Sequence, residues 1–328
     1  MNVDRGTQSK RLMAVGECMV ELIHTGNDSC KLGFAGDTLN ALIYSKRWVP
    51  ETDCIFFSAV GLDTFSTKMM SFFEQNDINT VGVARSKNRN VGLYSIVTDE
   101  SGERSFDYWR DQSAAKVMMS LHKVEPPELD SIDMVYFSGI GLSILNDADK
   151  NELLTLIQQY RDRGALIAFD SNYRPSMWNG YQHAQVWFDR AYRVSDIALP
   201  GLDDHKSVYH HDCVQDVLNY LNSVGCKEYV VKAGTQGMFG YLEGGLVHHQ
   251  AFNPAPSQID TTAAGDSFAG VYLANRLAER SIEFSIKAAD AAAREVVQHA
   301  GAIISKDALA SVKARFLANC NEGVLVDG

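Results

Sequence analysis

The 328-residue chain is 45% hydrophobic, enough for one large α/β core or two smaller ones. Its formal net charge of −11, with no block of consecutive basic residues, argues against nucleic acids and anionic membranes as partners. No apolar stretch approaches the roughly 20 residues of a membrane span, residues 1–11 lack the apolar run of a secretory signal, and the six cysteines form no Cys-x-x-Cys pair, so a cytoplasmic protein with free thiols is expected.

Taken in order, residues 12–16 are a short apolar run closed by Gly16, as in a buried strand, and Glu17 follows it. Alternation from Cys18 to Ile23 leads toward a hairpin near residues 26–28. Gly33, Gly36 and residues 37–40 then precede Ala41, Leu42, Tyr44 and Trp48 at helical spacing, with Asp37 or Thr38 as an ordinary N-cap. The same glycines would let a small polar ligand lie against the backbone while Asp37 or Asn40 bonds its hydroxyls, and this stretch leaves both readings open. Residues 54–61 form a second buried strand, followed by a helix through about Asn76 with Phe72 and Phe73 in the core.

Strands at 91–97 and 104–109, joined by a turn at 99–102, make a hairpin carrying Tyr94, Tyr108, Trp109 and Arg110. Aromatic residues in strands ordinarily pack on a core. Alternation, however, places Tyr108 and Arg110 on one face and Trp109 on the other, and an Arg beside a Tyr suits a carboxylate or phosphate.

From Ser131 the pattern alternates strictly. Strands at 133–139, 165–170, 197–199 and 228–232 are separated by helices at 147–163, 181–192 and 214–224, which predicts right-handed crossovers and a mostly parallel sheet. A hairpin spans 240–249, and the chain from Phe268 to about Leu317 is mainly helical. Ligands of such sheets bind beyond the carboxyl ends of the strands. Asp170, Asn172 and Arg174 fall there after one strand, and Lys232, Gly234 and Gly237 after another. Pro175 holds Arg174 extended and aimed outward, although a surface arginine capping a loop would look the same. Lys232 ends an apolar strand, where a nucleotide phosphate is its natural partner. His210-His211 and His248-His249 would point to opposite faces of their strands, toward solvent, and are not metal pairs.

The most informative stretch is Asp260-Thr-Thr-Ala-Ala-Gly-Asp266-Ser-Phe268, which opens into Val271, Leu273 and Leu277 at helical spacing. Gly265 can take a left-handed conformation, and the unpaired amides of a helix start make an anion cradle. Asp266 stands at the same place. Gly-Asp before a helix is by itself an ordinary cap, but a cradle with a carboxylate beside it suits phosphoryl transfer to an alcohol, with Asp266 taking the hydroxyl proton.

The whole string resembles the C-terminal signature of the ribokinase-like (PfkB) carbohydrate kinases. Gly16-Glu17, Gly36-Asp37 and Lys232-Ala-Gly234 precede it in the order seen in that family, so the resemblance covers nearly the whole chain. Residues 16–22, 36–40, 102–110, 172–175 and 301–304, with Gly-Leu-Tyr94, look most like those of members acting on 2-keto-3-deoxygluconate.

The resemblance implies a three-layer ribokinase-like α/β fold, with a mostly parallel central sheet and a small β-sheet lid. It implies a single domain over 1–328 whose lid strands come from about 17–34 and 89–112, and a homo-oligomer. It implies transfer of the ATP γ-phosphate to the C6 hydroxyl of 2-keto-3-deoxygluconate with Mg2+, a monovalent cation such as K+ near Asp260 and Thr262 being open. Gly36 and Asp37 would line the sugar-acid site, and Tyr94, Tyr108, Arg110 and Arg174 would recognise the carboxylate and keto end. Asn172, Lys232, Gly234, Gly237 and Thr262 would serve the ATP site, Ala264 and Gly265 the anion hole, and Asp266 the base. No residue is assigned as a metal ligand.

Two departures stand out. Ala35 occupies the place of the first of two paired glycines, and Leu202-Asp-Asp-His205 stands where an Asn-x-x-Glu element orients magnesium in many members, leaving Asp203 or Asp204 as substitutes. The alternatives are a kinase for another sugar acid or for a neutral ketose such as fructose, and a non-catalytic sugar or nucleotide sensor. Asp266 counts against the sensor, which has no use for a proton acceptor there.

Overall fold

The computed structural model describes residues 9–26, 28–98, 104–125, 127, 129 and 131–324. The expected turn at 99–102 lies outside them. The first half of the chain runs β1 (Arg11–Val15), β2 (Met19–Gly26), β3 (Ser29–Ala35), α1 (Asp37–Trp48), β4 (Asp53–Val60), α2 (Thr64–Gln75), β5 (Val83–Arg85), β6 (Gly92–Thr98), β7 (Arg104–Trp109) and α3 (Met118–Val124). Next come β8 (Met134–Ser138), α4 (Gly139–Ser143), α5 (Asp147–Asp162), β9 (Leu166–Asp170), α6 (Tyr181–Val194), β10 (Ile197–Ala198), α7 (Leu202–Tyr209) and α8 (Val214–Val224). The chain closes with β11 (Glu228–Lys232), β12 (Met238–Leu242), β13 (Gly245–Gln250), α9 (Ala264–Leu277), α10 (Ile282–Val296) and α11 (Lys306–Val324).

The large sheet has the order β13-β12-β11-β10-β9-β8-β1-β4-β5. It is parallel from β5 to β11 and ends in the antiparallel hairpin β12–β13. Its central strands are apolar on both faces because both faces are covered. Met13 and Val15 of β1, Val135 and Phe137 of β8, and Ile167 and Phe169 of β9 enter one core, packed under α5, α6 and α8. Leu12, Ala14, Met134, Tyr136 and Ala168 enter the other, under α1, α9, α10 and α11. Helices on both sides of one sheet make three layers. A separate four-stranded sheet, β3-β2-β6-β7, has antiparallel outer pairs around a parallel β2–β6 pair.

One helix crossing positions the chemistry. A Cβ built on Gly270 of α9 would stand 2.1 Å from the Ala41 carbonyl oxygen of α1, so only glycine permits this approach. The Ser45 hydroxyl donates to the Gly270 carbonyl at 2.7 Å and ties the crossing.

Several local expectations are corrected. Asp37 is the first residue of α1 and caps nothing; Gly36 precedes the helix with an extended backbone and no side-chain cap bond. Residues 202–209, which the sequence pattern left unassigned, are helical, and His210 closes that helix in the left-handed conformation instead of lying in a strand. His211 does not face solvent, since its Nδ1 lies 3.1 Å from His205 Nδ1 and the rings stack. Of the six free cysteines only Cys18, Cys54 and Cys226 are buried. No described helix is long and apolar enough to cross a membrane.

Candidate active site

The start of α9 is built by a left-handed residue, but it is Ala263 (φ 61°), not Gly265. Ala263 turns the chain into the helix, so Ala264, Gly265 and Asp266 are its first three residues and Asp266 is no cap. The Ala264 amide donates to the Thr261 carbonyl at 3.2 Å, and the first helical bond runs from the Ser267 amide to the Ala263 carbonyl. The amides of this turn left without an intrahelical partner are therefore those of Gly265 and Asp266, the kind of donors that can bind an anion. Gly265 is exposed, and a Cβ there would meet nothing within 4 Å.

Asp266 keeps part of its surface open to the cavity but is ringed by protein, and Asn40 of α1 donates to its Oδ2 at 2.9 Å. Burial raises its pKa to about 7; the Asp37 carboxyl adds to the rise, and Asn40 opposes it. A carboxylate poised near neutrality suits a proton acceptor. Asp37 is itself raised by burial, and its Oδ2 accepts from the Ser138 hydroxyl at 2.5 Å and the Asn172 amide at 3.0 Å. Asn172 has a positive φ of 29°, and its backbone amide donates to Asp170 Oδ1 at 3.1 Å, an Asx-type bend that follows β9.

Lys232 at the end of β11 donates to Asp170 Oδ2 at 2.7 Å, so the ammonium expected for a phosphate is paired with a buried carboxylate. Asp204 on α7 accepts from the Ser171 hydroxyl at 2.5 Å, and burial raises its pKa. His205, one residue on, is buried against Tyr192 and His211, and burial lowers its pKa to about 3. Neutral and internal, it cannot replace the missing carboxylate of the Asn-x-x-Glu element. Asp260 accepts from the Thr262 amide at 2.9 Å and the Gly301 amide at 2.7 Å, tying the loop before α9 to the segment after α10.

On the small sheet, Tyr94 is buried and its hydroxyl donates to Glu21; burial and that carboxylate raise its pKa. Tyr108 stacks on Tyr94 with ring centres 5.7 Å apart and remains 54% exposed. Arg110 donates to Glu17, which is buried, and Arg174 donates to the Tyr173 carbonyl at 3.0 Å. Sequence reasoning singled out neither Glu17 nor Glu21 as partners of these side chains.

All fourteen expected residues line three adjoining cavities. Gly36, Asp37, Tyr94, Tyr108, Asn172, Arg174, Lys232, Thr262, Gly265 and Asp266 line one of about 480 Å³. Arg110 lines a second, of about 460 Å³, which shares Gly36, Asp37, Tyr108 and Arg174 with the first. Ala264, Gly234 and Gly237 line a third, mostly apolar, of about 310 Å³, which shares Lys232 and Gly265 with the first. Gly237 (φ 90°) is required there, since a Cβ would stand 2.1 Å from the Gln250 carbonyl oxygen. Another cavity, of about 500 Å³ between α3 and α5, is lined mainly by apolar groups such as Met119 and Leu156 and lies away from these carboxylates.

The sequence pattern of the pfkB family carbohydrate kinases matches residues 9–309. A 2-dehydro-3-deoxygluconokinase of Escherichia coli (strain K12) is 38% identical over 307 residues, covering 92% of this chain and 99% of its own. Among solved structures, a 2-dehydro-3-deoxygluconokinase from Thermotoga maritima shares the fold with a TM-score of 0.79 at 17% identity, over 93% of this chain and 98% of that one. A fructokinase from Xylella fastidiosa with bound ATP gives 0.80 at 17% identity, over 95% and 99%. The three-layer ribokinase-like architecture expected from the sequence is the one found.

Proposed function

The chain belongs to the pfkB family of carbohydrate kinases, and from that premise we propose that it transfers the γ-phosphate of ATP to the C6 hydroxyl of 2-keto-3-deoxygluconate, giving 2-keto-3-deoxy-6-phosphogluconate. The observation that carries this reading is the meeting of a polar and an apolar cavity at Gly265, with Asp266 beside the junction. A sugar in the first and a nucleotide in the second would bring hydroxyl and γ-phosphate together in front of free helix-start amides. The keto-deoxy acid is favoured over a neutral ketose by the 38% identity to the E. coli relative across most of both chains.

In this reading Asp266 accepts the proton of the attacking hydroxyl, and the amides of Gly265 and Asp266 stabilise charge on the phosphoryl group in flight. Gly36 and Asp37 hold the sugar's hydroxyls. Tyr94, Tyr108, Arg110 and Arg174 receive its carboxylate and keto end, where a neutral hexose would give the two arginines no carboxylate to bind. Lys232, Asn172 and Thr262 face the phosphates, and Gly234, Gly237 and Ala264 border the apolar cavity suited to a base. The small sheet, from residues 17–34 and 89–112, acts as the lid of one domain.

Among the described residues no group of three or more His, Cys, Asp or Glu is placed to hold a metal ion. Magnesium in this reaction arrives with the phosphates and keeps several waters. Asp170 and Asp204 are the carboxylates that would hold its water shell, and the ion would neutralise phosphate charge. A monovalent cation such as potassium belongs beside Asp260 and Thr262 in this scheme.

The test is ADP release from ATP and magnesium, with 2-keto-3-deoxygluconate, its galactonate epimer, fructose and ribose compared side by side. Preference for the keto-deoxy acids is expected. Preference for a neutral sugar would keep Asp266 as base but remove the arginines from substrate recognition. Turnover of none of the four would favour a non-catalytic sugar or nucleotide sensor.

A further inference from the structure

We infer that Glu17 is a positioning residue for acid recognition: it holds Nη2 of the Arg110 guanidinium and leaves Nη1 to the substrate's carboxylate. The inference rests on the sugar-acid reading above. Glu17 lies in the connection between β1 and β2, where the large sheet hands over to the small one, and its side chain is 1% exposed. Arg110 follows β7 at the far end of the small sheet, and its side chain is 13% exposed. Arg110 Nη2 donates to Glu17 Oε2.

The remaining donors of Arg110 are under-used. Among the described residues Nη1 reaches only the Met177 sulfur, at 3.7 Å, which is a weak acceptor. Nε is buried with no partner among the described residues. A guanidinium presents its N–H groups as a planar fork that matches a carboxylate with two parallel bonds. Nη2 is therefore taken, Nε is shut off by burial, and Nη1 is left without a strong acceptor, in a residue on the wall of the cavity that also contains Glu17, Arg174 and Tyr108.

Packing confines Glu17, whose Oε2 meets Arg110 and whose buried Oε1 has no partner among the described residues. A Cβ on Gly92 of β6 would stand 2.9 Å from Glu17 Oε1 and 3.2 Å from Arg110 Cβ, so the small sheet carries a glycine where the ion pair passes. A Cβ on Gly36 would stand 1.9 Å from the Glu17 carbonyl oxygen, so the main chain is held as well. An incoming carboxylate cannot simply replace Glu17, because that would strand a buried, unpaired charge. It adds to the fork instead, and Arg110 is oriented before the substrate arrives.

Glu17→Gln keeps the shape and removes the charge that orients Arg110. Wild-type turnover of the keto-deoxy acid is measured first; its absence overturns the sugar-acid reading itself. Given that turnover, Glu17→Gln is expected to raise KM for the acid about 10- to 100-fold, leaving KM for ATP and kcat at saturating acid within about twofold. In an Arg110→Ala background the same change is expected to add no further loss. Arg110→Lys, which retains a charge for Glu17 but has no counterpart of Nη1, is expected to raise KM for the acid as well. An unchanged acid KM in Glu17→Gln or in Arg110→Lys overturns the inference while leaving the function intact. A parallel fall in kcat and in affinity for both substrates, or full additivity with Arg110→Ala, would make Glu17 merely structural and overturns it too.

Discussion

Replacing Asp266 by Asn should stabilise the protein while disabling it. Burial, followed by the neighbouring Asp37, moves the Asp266 carboxyl from its ordinary 3.8 to about 7. Between those values the native chain keeps a proton that the unfolded chain has released, so stability falls as pH rises from about 4 to about 7, and the full cost applies above that. At about 1.4 kcal/mol per tenfold change in acidity, the cost is roughly 4 kcal/mol. Asn avoids it and keeps an oxygen for the Asn40 amide, but gives up the charged character of that bond, worth about 1–2 kcal/mol. The net expectation is a gain of about 2 kcal/mol at pH 8. With about 2.1 cal/mol/K of unfolding entropy per residue, a chain of 328 residues should melt about 3 °C higher. The gain should shrink at pH 5. Thermal unfolding at both pH values, with turnover measured on the same preparations, tests the argument. Equal melting at pH 8 would refute the buried-charge reasoning, and turnover within tenfold of wild type, instead of a loss of about 10²–10⁴, would remove Asp266 as the base.

Other expectations follow from the same geometry. The acid limb of kcat/KM should lie near pH 7, and because the Asn40 hydrogen bond lowers the Asp266 pKa, Asn40→Ala should move that limb upward; a limb that stays in place separates Asn40 from the base. Lys232→Met leaves the buried Asp170 without its ammonium, so KM for ATP should rise about tenfold or more and stability should fall by about 3 kcal/mol; equal changes in the two substrates' KM values would take Lys232 out of the nucleotide site. Gly270→Ala puts a methyl group 2.1 Å from the Ala41 carbonyl and should cost about 1–3 kcal/mol together with turnover, since α1 carries Asn40 and α9 carries Asp266; native melting and activity would show that the helices part freely.

Much of the scaffold was legible because its rules are local. Strands buried on both faces read as continuous apolar runs, and the glycine after α8 (φ 84°) stops that helix where the sequence indicates. The start of α9 was legible in kind but not in detail. Its left-handed residue is Ala263, two positions before the glycine that would ordinarily take that role, because Gly265 is needed inside the helix, where it leaves space above the amides. Helix α7 was hidden by its polar residues 203–206, which carry little periodic signal. The pairs Glu17–Arg110 and Glu21–Tyr94 span 93 and 73 residues. No periodicity links such partners; only the pairing of β2 with β6 and of β6 with β7 brings them together.

The opening between the two cavities at Gly265 also governs how wasteful the reaction is. Nothing within 4 Å would meet a side-chain carbon there, so a water molecule has the same approach to a γ-phosphate as a sugar hydroxyl does. Asp266, held by Asn40, would serve either nucleophile in the proposed reaction. Selectivity for the sugar over water therefore cannot reside in the base or the amides, which make no distinction between them. In the proposed reaction it would fall to the half-exposed Tyr108 and the rest of the small sheet, which exclude the competing water only by covering the bound acid. In the proposed reaction the coupling of nucleotide consumption to sugar would thus be set by the second sheet, and the rate of transfer by the first turn of α9.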